Sequence, residues 1–196
     1  MANPWPPATG LSTPSVPRPD VVLPLHASTL IHAPADRVFA AVLRVADYNL
    51  WNTFCPRVDS PSATLSNGDS FTFHVIMNSS KPGSLTATGL KVTDVSTPEQ
   101  ISGYIPRETL SGDGSFTADL GKVYRVAWAS EGGFVSRGLR SERFHEVIVS
   151  GKNECEVRTW ECMGGPLAYT VKWLYKQTLL DKFQLWCEDL KKYCEQ

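Results

Sequence analysis

Two neighbouring stretches carry most of the side chains that could move a proton, SERFHEVIVS (141–150) and ECEVRTWECM (154–163). Both read as strands, in which successive side chains point to opposite faces. Glu142 and Glu146 share one face of the first stretch, and two carboxylates together favour solvent, which turns Arg143, His145 and Val147 inward. In the second stretch Glu156 and Arg158 mark the wet face, so Val157, Thr159, Glu161 and Met163 point inward. A loop at Gly151-Lys152-Asn153 pairs Ser150 with Glu154, and continuing that register sets His145 opposite Thr159 and Arg143 opposite Glu161. Opposed residues have Cβ atoms about 5 Å apart. One inner patch then holds a guanidinium, a carboxylate, an imidazole and a hydroxyl.

That patch has two uses open to it. In a ligand cavity it is general acid–base machinery: Arg143 stabilises developing enolate charge while His145 and Glu161 shuttle protons, the imidazole near neutral pH. The plainer use is an Arg143–Glu161 ion pair that keeps two strands in register, since a buried charge is costly unless paired. Other chemistry lacks its signatures. There is no G-x-S-x-G, P-loop, G-x-G-x-x-G or H-E-x-x-H, and Gly112-Asp113-Gly114 is a turn without the further ligands of a calcium loop. His26, His32, His74 and His145 are scattered, so neither a metal site nor a cofactor is expected.

The element that must hold such a patch is the C-terminal stretch from Gly164 to Cys194. Ala168, Val171, Tyr175, Leu179, Phe183, Trp186, Leu190 and Tyr193 recur at steps of three and four, one apolar stripe on a long helix opened by Pro166. A strand, two short helices and a run of strands precede it, an α+β order with a curved antiparallel sheet gripping the last helix. Phe71 with Phe73, and Tyr124 with Trp128, share strand faces suited to a cavity wall. Thr159, Met163, Tyr175 and Leu179 join them from the inner patch and the helix.

Composition bounds the partners. The chain has 196 residues and a net charge of -1 without a run of Lys or Arg, which argues against nucleic acid and anionic membranes. No segment reaches the ~18 apolar residues of a membrane span, and no secretory signal is evident. Five cysteines at irregular spacing read as reduced thiols of a cytoplasmic protein. Residues 1–20 hold six of the fourteen prolines and read as a disordered, solvated arm before a domain over 21–196. Oligomeric state is not readable.

HAPADRVFAAVLRVADYNLWN (32–52) resembles the opening of the START-like polyketide cyclase/dehydrase and lipid transport superfamily (SRPBCC), through Ala33, Pro34, Val38, Phe39, Tyr48, Trp51 and Asn52. Glu161, Met163 and Gly165 before the long helix are similar to the family's late strand, and the resemblance spans about residues 25–194. It implies a helix-grip fold of seven strands around the last helix, with an apolar cavity between them. By that resemblance the ligand is small and hydrophobic, of a polyketide, polycyclic or isoprenoid kind. The protein would be a cyclase, dehydratase or isomerase, or else a carrier of lipid, quinone or pigment. Residues 99–121 depart from the family pattern as an insert. Placed at the cavity mouth, they would bring Tyr104 and Phe116 to the ligand, with Trp51 a further contact.

Overall fold

The computed structural model describes residues 4–78, 80–81, 83–132 and 138–196. Its elements run β1 (Leu23–Ile31), α1 (Ala35–Leu43), α2 (Tyr48–Trp51), β2 (Arg57–Asp59), β3 (Ser70–Ile76), β4 (Leu85–Ser96), α3 (Arg107–Gly112), β5 (Val123–Ser130), β6 (Arg140–Gly151), β7 (Glu154–Gly164) and α4 (Pro166–Cys194). Among the described residues the strands form one seven-stranded antiparallel sheet in the order β1-β7-β6-β5-β4-β3-β2. Because β1 pairs with β7, the sheet's N- and C-terminal strands lie side by side. The architecture is the α+β helix grip.

α4 begins where the backbone demands glycine. Gly165 has φ +91°, and a Cβ there would stand 2.7 Å from the Gly138 carbonyl oxygen; one on Gly164 would stand 2.7 Å from that of Asp20. Pro166 then opens the helix, and Lys191 and Lys192 in its last turn suit the negative end of the dipole. The apolar stripe is only half used. Leu179, Phe183, Trp186, Cys187 and Leu190 are buried, whereas in the first three turns only Ala168 is buried and Tyr169, Trp173 and Leu174 are exposed.

The convex side of the sheet is also covered. Leu11 and Val16 of the N-terminal arm are buried there with Ile105, Leu110 and Phe116 from residues 99–121, against Ala127, Phe144, Trp160 and Cys162 of the strands. Trp160 donates Nε1–H to the Ser12 carbonyl at 3.0 Å. Where proline content suggests a solvated arm, residues 4–20 thus lie on the sheet; residues 1–3 are outside the described residues. The physical reason is local: Leu11 and Val16 are few, but Phe144 and Trp160 give them a large apolar surface to meet.

Candidate functional site

A cavity of about 700 Å³ lies between the concave face and the first half of α4. Phe73 and Val75 of β3, Leu90 of β4, Trp128 of β5, Met163 of β7 and Phe183 of α4 supply apolar wall, with Phe54 from the loop after α2. Val171, Tyr175 and Leu179 bring the helix to it, and Tyr175 remains 44% exposed. Three polar groups share one side: Ser141 and Arg143 from β6 and Glu161 from β7.

The register follows the alternation of the two strands. Arg143 pairs with Glu161 and His145 with Thr159. Only the turn differs, for Gly151 pairs with Glu154 and a bulge between Val149 and Gly151 takes up the shift. Arg143 is 7% exposed. Its Nε donates to Thr159 Oγ1 at 3.1 Å, and its guanidinium carbon lies 3.9 Å from the centre of the Phe183 ring. Its Nη2 has no hydrogen-bond partner among the described residues. No ion pair within 4.0 Å joins it to Glu161, so the expected salt bridge gives way to a longer-range attraction.

Glu161 is half-buried. Burial raises its pKa above the ordinary 4.5, opposed by the Arg143 charge and a hydrogen bond from Ser141. Burial likewise lowers the Arg143 pKa, but a guanidinium stays charged.

His145 departs from expectation. It is fully buried, does not line the cavity, and is wedged between Trp128 and Trp186 with both ring centres 4.5 Å away. Neither ring nitrogen has a hydrogen-bond partner among the described residues. Burial first, then the nearby Arg143 charge, hold its pKa well below 6.5, so the ring is neutral near pH 7. Titration near neutrality, which its residue type suggests, is lost to desolvation.

Of the remaining expected contacts, Phe73, Trp128, Met163, Tyr175 and Leu179 line the cavity. Thr159 sits beneath it as the Arg143 acceptor, and Phe71 stands behind Phe73 and Trp128 at 4.9 and 5.8 Å between ring centres. Trp51 packs on Trp186 and Tyr193, while the neighbouring Asn52 accepts from the Cys55 amide at 2.7 Å. Tyr124 packs on Phe39, 5.4 Å between centres. Tyr104 and Phe116 are on the other side of the sheet against Phe144. The insert therefore covers the convex face and not the mouth. Ser141 and Phe54 were not singled out from sequence. Ser141 shares strand parity with Arg143 and could have been found by reading two residues further back; Phe54 lies in irregular backbone and gave no periodic signal.

The outward side chains of β6 are buried too, contrary to their reading as solvent-facing. Glu142 accepts from the Ser15 amide at 2.8 Å, Thr93 Oγ1 at 2.8 Å and the Tyr104 hydroxyl at 2.6 Å. Glu146 accepts from Arg125 Nε and Nη2 at 2.8 and 2.6 Å and from Thr117 Oγ1 at 2.6 Å. Asp94 is the exception in this layer: its Oδ2 lacks a partner among the described residues, and burial raises its pKa.

No family model matches the chain. It is similar to the oxopyrrolidines biosynthesis cluster protein O of Penicillium oxalicum, 31% identical over 209 residues, covering 96% of this chain and 94% of that protein. Among solved structures it is similar to a hypothetical protein of Helicobacter pylori (TM-score 0.63, 12% identity, 99% of this chain and 96% of that one). A START superfamily protein of Mycobacterium smegmatis (0.56, 11%, 88% and 97%) and norcoclaurine synthase of Thalictrum flavum bound to a transition-state analogue (0.53, 13%, 87% and 92%) share the fold. The fold is that of the START-like helix-grip superfamily. Among the described residues no helix is long and apolar enough to cross a membrane.

Proposed function

Since the chain belongs to the family of oxopyrrolidines biosynthesis cluster protein O, we propose that it is a cofactor-independent biosynthetic enzyme. In this reading it holds a small, mainly apolar molecule and moves a proton on it. The observation that carries the reading is a carboxyl of raised pKa, Glu161, opening onto an apolar cavity beside a buried guanidinium. Glu161 exchanges a proton with a carbon next to a carbonyl, and Arg143 stabilises the oxygen on which negative charge develops. Ser141, on the same wall, stands ready to donate to the carboxyl. Proton transfer of this kind underlies cyclisation, dehydration and isomerisation alike. An oxopyrrolidine, the product class in the relative's name, offers such a carbonyl beside an exchangeable C–H.

His145 serves as a neutral spacer between two tryptophans in this scheme, not as the acid or base. Arg143 and Glu161 are assigned the parts that their residue types suggest.

A second reading, a non-catalytic carrier, is favoured by the uncovered first three turns of α4, which leave the cavity open to exchange. One experiment separates the two. Small molecules that co-purify with the full chain are identified by mass spectrometry, then returned to the protein in heavy water. The enzyme incorporates deuterium or changes the molecule's mass, and Glu161→Gln slows this about 10²–10⁴-fold while binding the same molecule. The wild-type rate changes with pH above 4.5, the ordinary value for this carboxyl, in a way the variant does not. A molecule returned unchanged and undeuterated by wild type would establish the carrier instead.

A further inference from the structure

Arg143 is a buried cation without a close counter-ion among the described residues. The elements packed around it bring few acidic groups near. On β7, Glu161 makes no ion pair with it within 4.0 Å and acts on it only at longer range. From α2 and the following loop come Tyr48 and Cys55, and from α4 comes Cys187. Burial raises the tyrosine's pKa and pushes both thiols up to about 12, so none is an anion near neutrality. On β6 itself His145 is neutral. The wall's remaining carboxylate, Glu131, is exposed, accepts from Ser70 Oγ at 2.6 Å and lies 3.9 Å from Lys91 Nζ. Hydrogen bonding to the guanidinium is also incomplete: Nε is on Thr159, and Nη2 is buried without a partner among the described residues. Such a site is costly to the fold unless something else completes it.

We propose that the ligand completes it: the cavity takes an organic acid, an apolar skeleton bearing a carboxylate or acidic enol whose anionic oxygen docks on the Arg143 guanidinium. This rests on the cavity being the ligand site, as argued above, and adds that the ligand arrives already charged. Phe183, stacked on the guanidinium at 3.9 Å, holds the charged plane in place, and the Phe73, Trp128 and Leu179 walls take the skeleton. A neutral ligand of equal shape forgoes the charge-assisted bond and leaves the guanidinium as it stands.

Two fluorescent probes test this. 1-Anilinonaphthalene-8-sulfonate and N-phenyl-1-naphthylamine share an aromatic skeleton, and only the first is an anion. Each is titrated into the full chain, and mutual displacement identifies the shared site. The anion is expected to bind at least about tenfold more tightly than the neutral probe. Arg143→Met should abolish that preference yet keep the neutral probe, and Arg143→Lys should retain most of it. Equal affinities in wild type, or a preference that survives in Arg143→Met, would overturn the proposal. If Arg143→Met does not fold, the wild-type pair decides alone. Neutral-probe binding without anion preference removes the acid but leaves the cavity reading intact; failure of both probes to bind sinks the cavity reading with it.

Discussion

Strand β6 buries charge in two ways, one on each face. Outward, Glu142 and Glu146 are saturated: amide, hydroxyl, phenol and guanidinium donors reach them at 2.6–2.8 Å. Inward, Arg143 and His145 retain polar nitrogens without partners among the described residues. The two sets are a single residue apart in sequence. The convex charges are explained by their own partners and hold the arm, the insert and the sheet together. The Arg143 charge has no close protein anion among the described residues and borders the cavity, whereas the neutral His145 lies behind the wall. On β6 itself, incomplete satisfaction, more than burial, distinguishes the cavity face from the outer one.

This contrast can be broken from the convex side first. Deleting residues 1–20 removes Leu11, Val16 and the Ser15 amide from Glu142. With about 1.5–3 kcal/mol for each buried aliphatic side chain, the loss is several kcal/mol and a fall in Tm of order 10 °C. A Tm within a degree or two of wild type, as a solvated arm would give, would separate the arm from the outer layer. Arg125→Met is next: it strands Glu146 in a site where both side chains are at most 2% exposed. It should cost about 3–5 kcal/mol by urea denaturation, and adding Glu146→Leu should recover most of it. A single variant as stable as wild type would show the pair to be ornamental.

His145→Phe sharpens the concave side through a smaller effect, read as a pH slope. The folded-state pKa is depressed below 6.5, so the unfolded chain takes up the proton more readily. Stability is therefore full above 6.5 and falls as pH drops from 6.5 towards the depressed value. The variant should lack this component of acid sensitivity; an unchanged slope below 6.5 would mean that the imidazole is not desolvated. The smallest effect belongs to Trp173→Ser. Its side chain is 84% exposed, and stability should shift by no more than about 0.5 kcal/mol in a melting curve.

The grip and the inner register were legible because alternation and a helical stripe are local patterns that tertiary packing rarely overrides. Arg143 opposite Glu161 followed from side-chain parity together with the register set at the Gly151-Lys152-Asn153 turn. The outer layer was not legible from Glu142 and Glu146, since carboxylates ordinarily face water. Yet Phe144 lies between them, and Trp160 and Cys162 share a face with Glu156 and Arg158. Large apolar residues on both faces of β6 and β7 already required two coverings. The state of His145 was hidden for another reason: it depends on Trp128 and Trp186, which come from distant segments, and no local pattern records their closure. The same holds for Tyr104 and Phe116, whose side of the sheet is decided by where the insert folds back.

The docking of the arm also sets a timetable for the nascent chain. Ser12 is bonded to Trp160 across 148 residues, and Ser15 to Glu142 across 127. The arm thus has no surface to settle on until β6 and β7, far downstream, have emerged from the ribosome. Contacts of such sequence separation form slowly, because a long loop must close before they repay its entropy. The outer layer is therefore finished only after β6 and β7 have been translated, when the arm can cover Phe144 and Trp160.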